Sequence, residues 1–197
     1  MSLKITEKLS GYDVILASAS PRRKELLELI SHNFRIIPSD CDETLPGDIA
    51  SEDTAAYLSR LKCESIAKVY ESSVVIGCDT VVLCDEVMGK PSDAEDAKRM
   101  LKALSGRDHK VITGVTLSYK GETITFDEVT KVRFLPLDER DIDLYIKSGE
   151  PFDKAGAYGI QGLGSMLVER IDGDFFNVVG LPVSRLAEEL DRFLESR

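Results

Sequence analysis

Apolar positions along the chain follow two periods, and the switches between them mark the elements. Val14-Ile15-Leu16-Ala17 is a short unbroken apolar run and predicts a buried strand. Ser18-Ala19-Ser20 follows as a loop, with Ser20 suited to cap a helix and Pro21 to open it. Leu26, Leu27, Leu29 and Ile30 give that helix one apolar face. Residues 34–38 predict a second strand and 40–48 an acidic loop, before a helix over 53–69 that turns Tyr57, Leu58, Leu61 and Ile66 inward. Val74-Val75-Ile76 predicts a strand that continues extended to Leu83, with a turn at Asp85-Glu86. A third helix over 93–104 ends at Ser105-Gly106. Residues 111–119 and 122–135 alternate apolar and polar positions around Lys120-Gly121, the pattern of a hairpin. A helix over 138–147, a glycine-rich loop over 153–164, a strand over 166–171 and a closing helix over 182–193 complete the chain. Strands alternating with helices, plus one long hairpin, predict an α/β fold with a mixed sheet.

Composition narrows the function. The 197 residues carry a net charge of −10, which argues against a nucleic-acid partner, because a phosphate backbone is normally met by a basic surface. A small anion can still bind where cations cluster locally. Cys41, Cys63, Cys78 and Cys84 form no CxxC pair and read as reduced, partly buried thiols. Only His32 and His109 could join them, at no ligand spacing, which argues against zinc. Residues 1–11 lack the apolar segment of a signal peptide, and no run approaches the roughly 18 apolar residues of a membrane span. A cytoplasmic protein with no membrane partner is expected.

Five segments carry candidate chemistry. In Ser18-Ala19-Ser20-Pro21-Arg22-Arg23-Lys24-Glu25 three cations crowd the first turn of a helix, where the dipole already places partial positive charge. They read either as a phosphate grip or as solvated side chains. Asp79 interrupts the apolar stretch Val74 to Val82 and reads either as a base or metal ligand at a strand end, or as a turn residue between two strands. Glu43, within Asp40-Cys41-Asp42-Glu43, offers hard oxygens for Mg²⁺ or Mn²⁺, or belongs to a solvated acidic loop. Lys90, in Gly89-Lys90-Pro91, is a point charge for an anion or a surface lysine. The loop from Asp153 to Gly162 has neither dinucleotide nor P-loop spacing. It reads as a backbone approach to a ligand, with Gln161 able to pair with a base edge, or as an ordinary turn-rich loop.

Taken together, these segments are recognisable. Ser18-x-Ser20-Pro21-Arg22-Arg23-x-Glu25-Leu26-Leu27, Gly77-x-Asp79-Thr80-Val81-Val82, Gly89-Lys90-Pro91, Leu104-Ser105-Gly106, Ser148-Gly149-Glu150-Pro151, the loop Asp153 to Gly162 and Asn177-Val178-Val179-Gly180-Leu181-Pro182 resemble the Maf family. The likeness runs from about Val14 to Phe193, within a single domain over 1–197 that carries a 1–12 N-terminal extension. It implies a three-layer mixed-sheet α/β fold like that of the inosine triphosphate pyrophosphatases, with two lobes and a central cleft. The implied activity is a metal-dependent nucleoside triphosphate pyrophosphatase, and the form of the 153–162 loop resembles the dTTP and UTP branch. The resemblance makes Asp79 the proton acceptor and matches Glu43 to another polar position of the cleft; the mechanism expected there has Asp79, with Glu43, hold Mg²⁺ or Mn²⁺. Ser18, Arg23 and Lys90 would hold phosphates, and Arg22, Thr80 and Gln161 would bear on base choice. Lys154 is a further cation in the loop expected at the cleft. The family commonly has a lysine in a Glu-Lys-Ala context after the acidic loop. Here that place reads Glu64-Ser65-Ile66, with Lys62 one turn earlier and Lys68 about one turn later as substitutes. The family's link to septum formation and cell division leaves open a regulatory nucleotide-binding role with little catalysis, and a homodimer is also left open.

Overall fold

A computed structural model describes residues 4–195. The elements in chain order are α1 (Lys4–Leu9), β1 (Val14–Leu16), α2 (Pro21–Leu27), β2 (Arg35–Ile36), α3 (Thr54–Ala67), β3 (Val74–Cys84), β4 (Glu86–Met88), α4 (Ala94–Leu104), β5 (Asp108–Tyr119), β6 (Glu122–Phe134), α5 (Glu139–Lys147), β7 (Val168–Asp172), α6 (Phe175–Val179) and α7 (Val183–Glu195). The seven strands run in the order β2-β1-β3-β5-β6-β7, with β4 on β3. β1 pairs in parallel with β2 and β3, while β3–β4 and β6–β7 are antiparallel, so the sheet is mixed as the alternation predicts. None of the helices among the described residues is long and apolar enough to cross a membrane.

The chain divides into two compact units. The first holds the segment ending at Asp79, Thr113–Glu128 and the segment beginning at Gly180. In it, β1 lies between β2 and β3 with Leu16 opposite Ile76. Ile15, Ala17, Cys63, Ile66 and Val75 pack together between strand and helix. Two glycines let α3 lie directly on the strands. A Cβ at Gly77 would fall 2.4 Å from the Ser59 carbonyl oxygen, and one at Gly114 would fall 2.3 Å from the Ala55 backbone. The polar N-terminal stretch also folds: α1 buries Ile5 and Leu9, and Lys8 Nζ reaches Asp191 of α7 at 2.9 Å.

The second unit holds Thr80–Ile112 and Val129–Val179. Its core joins Met88, Leu101, Leu104, Val132, Phe134 and Ile142. Asp93 caps α4 by accepting from the Asp96 amide at 2.8 Å, and Asp138 caps α5 by accepting from the Asp141 amide at 2.8 Å.

Several elements depart from the pattern-based expectation. The strand expected over 34–38 is only Arg35–Ile36, and both residues are exposed. α2 stops at Leu27, with Glu28 to Ser31 closing in turns. The turn at Asp85 is sharper than expected: Asp85 takes a positive φ of 60°, so β4 begins at Glu86. The strand expected from Met166 starts at Val168, because Gly162–Leu167 winds into 3₁₀ turns. The hairpin is as expected, and Lys120 and Gly121 both take positive φ, as its tight turn requires.

Candidate active site

The loop after β1 travels beside β3. The Ala17 amide donates to the Ile76 carbonyl at 2.8 Å, which carries Ser18 to the level of Cys78. Ser18 is buried, and its hydroxyl accepts from the Ser20 amide at 3.3 Å and from Arg23 Nη1 at 3.1 Å. Arg23 Nη1 also donates to the Cys78 carbonyl at 2.8 Å, and Nε donates to the Gly180 carbonyl at 2.9 Å. A planar guanidinium suits this task, since its donors diverge in a fixed fork. Arg23 thereby binds three segments into one corner: the serine loop, the strand position preceding Asp79, and the turn before α7. Arg22, beside it, is half-buried.

Asp79 lies in the middle of β3, so it is neither at a strand end nor in a turn between two strands. Residues two apart share a strand face, which puts Gly77 and Asp79 on the same side. A Cβ at Gly77 would also fall 2.5 Å from Cys63 Cβ, so the face that carries Asp79 lies against α3. The neighbour delivered there is Lys62. Its ammonium sits 2.6 Å from Asp79 Oδ1 and 2.9 Å from Glu43 Oε2. The Lys62 and Asp79 side chains are each 13% exposed and Glu43 is 51% exposed. Burial works against the Lys62 charge, but the Asp79 and Glu43 carboxylates outweigh it and raise its pKa. Ser65 closes a helix turn by donating to the Lys62 carbonyl at 2.9 Å. The ammonium that meets Asp79 and Glu43 is that of Lys62.

In the second unit, Thr80 is half-buried directly after Asp79, and Lys90 is exposed after β4. The Gly156 amide donates to the Gly89 carbonyl at 3.0 Å, which holds the Lys90 turn against the glycine-rich loop. Lys154 is tied within that loop: its ammonium donates to the Glu150 carbonyl and to Asp153, both at 2.7 Å. Gln161 is exposed on the same loop. Ser18, Arg23, Glu43, Lys62 and Asp79 therefore gather in the first unit, and Lys90, Lys154 and Gln161 lie in the second. Among the described residues, no three His, Cys, Asp or Glu side chains cluster as a ready-made metal cage.

The family model for Maf-like proteins matches residues 13–193. The chain belongs to the Maf family. It is 49% identical over 180 residues to a Bacillus cytotoxicus protein named dTTP/UTP pyrophosphatase, covering 91% of this chain and 94% of that one. A Thermosipho africanus protein of the same name is 54% identical over 177 residues, covering 88% and 89%. The structure of the Staphylococcus aureus Ham1 protein superposes with a TM-score of 0.52 at 18% identity, covering 93% of this chain and 98% of that one. This likeness establishes the fold alone. The sequence offers Lys62 beside Lys68 as a substitute cation, and a signal that singles out Lys62 exists. Leu58, Lys62 and Ile66 lie on one helical stripe, and Leu58 and Ile66 are buried. A lysine that interrupts a buried stripe calls for a carboxylate.

Proposed function

We propose that this Maf protein is a nucleoside triphosphate pyrophosphatase that hydrolyses dTTP and UTP to the monophosphate and pyrophosphate. The observation that carries the reading is the half-buried constellation of Asp79, Lys62 and Glu43 beside the Ser18–Arg23 corner. The cluster supplies a carboxylate for proton transfer and a second for a metal ion, which catalysis uses. The names of the relatives are also those of enzymes, which favours catalysis over a purely regulatory role in cell division.

In the proposed reaction a water oxygen attacks the α-phosphorus in line, and the bond from that phosphorus to the bridging oxygen breaks, releasing pyrophosphate. Asp79 takes the proton of the attacking water, with its carboxylate oriented by Lys62. Ser18 and the corner fixed by Arg23, together with Lys90, hold the phosphates. The amide of Gln161 pairs with the acceptor and donor edge of uracil or thymine, while Arg22 and Thr80 bear on the same choice. Magnesium commonly binds through one or two carboxylates plus substrate phosphates, and Asp79 and Glu43 would offer it carboxylate oxygens beside the Lys62 ammonium that both contact. When bound there, Mg²⁺ or Mn²⁺ supplies charge neutralisation and a more acidic water.

The test is pyrophosphate release from a panel of triphosphates, with and without metal. Turnover should favour dTTP and UTP and vanish with a chelator. Asp79→Asn should lower turnover by about 10²–10⁴-fold while nucleotide still binds. Full activity in that variant would remove Asp79 from the chemistry, and a preference for purine triphosphates would overturn the base assignment.

A further inference from the structure

The Ser148-Gly149-Glu150-Pro151 motif has no part in the reaction just described, yet its glutamate is bound to the loop that carries Gln161. On the N-terminal side of Gln161, the Gly159 amide donates to the Tyr145 hydroxyl at 3.2 Å. On the C-terminal side, the Leu163 amide donates to Glu150 Oε2 at 2.9 Å and the Gly164 amide donates to Glu150 Oε1 at 3.1 Å. The Tyr145 hydroxyl donates in turn to Glu150 Oε1 at 3.1 Å, so both ties meet in one pair of side chains. The turn between them is three residues long, and Gln161 is its middle residue.

Two glycines are explained by this closure. A Cβ at Gly162, whose φ is +64°, would fall 2.8 Å from Glu150 Oε2. One at Gly164 would fall 2.2 Å from the Gly159 carbonyl oxygen and 2.7 Å from the Tyr145 hydroxyl. The ionisation states agree with the bonding. Burial works against the Glu150 charge, but the Gly164 and Leu163 amides and the Tyr145 hydroxyl hold its carboxyl below the usual range. Burial pushes the Tyr145 phenol up, so it remains a donor.

From this geometry we infer that Tyr145 and Glu150 are positioning residues for base selection: they fix both ends of the turn that presents Gln161 to a pyrimidine dione edge. The inference rests on the reading of Gln161 given above. A preorganised amide discriminates because a mismatched base leaves it unpaired in a fixed place, whereas a loose turn can turn away from the mismatch.

The experiment uses the full chain with Glu150→Gln, Tyr145→Phe and Gln161→Ala. It measures kcat and KM for dTTP, UTP, ATP and GTP, and amide exchange at Gly159, Leu163 and Gly164. Both clasp variants should lower the preference for dTTP over GTP by about tenfold, chiefly through KM for dTTP, and should speed exchange at the three amides. A merely structural role would reduce the active fraction for every nucleotide alike and leave the ratio unchanged. Tyr145→Phe removes one oxygen and carries the test if Glu150→Gln fails to fold. If Gln161→Ala abolishes the preference and both clasp variants keep it, the clasp is overturned and the reading of Gln161 stands. If Gln161→Ala keeps the preference, the reading of Gln161 falls, and the role inferred for the clasp falls with it.

Discussion

Lys62 is the residue on which the first unit's polar site turns. With its ammonium removed, the Asp79 carboxylate stays largely buried with no cation against it, and Glu43 loses the contact that holds it nearby. Lys62→Met should therefore lower pyrophosphate release by about 10²–10³-fold, comparable to losing one preorganised electrostatic contact. It should also cost about 1–3 kcal/mol of stability, less than for a fully buried pair because some solvent reaches both groups. The pH dependence has a definite sign. The Lys62 pKa is raised on folding, so its contribution is complete below the unfolded value of about 10.4 and is lost as pH rises through the higher folded value. Urea unfolding should show a constant gap between wild type and variant from neutral to mildly alkaline pH, closing only above about 10.4. A gap that closed near neutrality would mean that the ammonium is not what the site uses. Asp79 is legible in the sequence because a carboxylate stands out in an apolar run. Lys62 is harder to see, because α3 also carries Arg60 and Glu64, and only its phase against Leu58 and Ile66 marks it. Arg23 is legible as a cation, but its work as a three-way clamp depends on Cys78 and Gly180, far away in the chain.

At the scale of elements, the site depends on how closely α3 lies on β3. Gly77 precedes Asp79 by two residues on the same strand face, and Cys63 follows Lys62 directly on the helix. A methyl group at Gly77 would meet the Ser59 carbonyl and Cys63 Cβ far inside contact distance, and both belong to a helix with little room to give. Gly77→Ala should thus cost about 1–3 kcal/mol by overpacking. It should also lower turnover more than the lost stability explains, because lifting α3 separates Lys62 from Asp79. Gly47→Ala is the matched control: nothing lies within 4 Å of its Cβ, and its stability should change by no more than about 0.5 kcal/mol. Thermal melting and single-turnover assays at a temperature where all three proteins are folded decide the point. Equal turnover in Gly77→Ala and wild type would show that the close approach serves packing only. This scale also shows where pattern reading works. Strands and helices with strong periodicity, such as α4 and the β5–β6 hairpin, are legible because local propensity and burial agree. The 3₁₀ turns of 162–167 are not, because they are shaped by side chains of Tyr145 and Glu150 that no local pattern links to them.

For the molecule as a whole, the order of the motifs conveys the fold class, the family and, through the family, an expectation of two lobes, but not where the chain divides into its two compact units. β3, β5 and β6 each contribute residues to both, so no linker or change of composition marks a boundary. One consequence is measurable in acid. His109, in the second unit, is buried, with Nε2 2.7 Å from the Tyr158 hydroxyl and Phe134 edge-on to its ring. Burial lowers its pKa from about 6.5 to about 4. Between these values the unfolded chain binds a proton that the folded one refuses, so stability falls as pH drops through that window and levels off below about 4. The total loss is about 3 kcal/mol. Two other effects act nearby and must be separated from it. The Arg35 and Ser73 contacts hold Asp13 below the usual carboxylate range, and the Ser92 amide and Arg99 do the same for Asp96. Depressed carboxylates contribute above their unfolded value and are lost as pH falls through the folded one, so they act below about 4. The net charge of −10 also shrinks as pH falls towards the pI near 4.8, which relieves self-repulsion and works the other way. Both effects are common to wild type and His109→Gln, and comparing the two cancels them. The variant should be less stable than wild type at pH 7.5 through lost ring packing. Its deficit should then narrow by about 3 kcal/mol on acidification to pH 4. If the units unfold in separate urea transitions, only the one that reports the second unit should carry this narrowing. A deficit that stayed constant across the window would mean that His109 gains its proton as readily in the folded protein as in the unfolded chain.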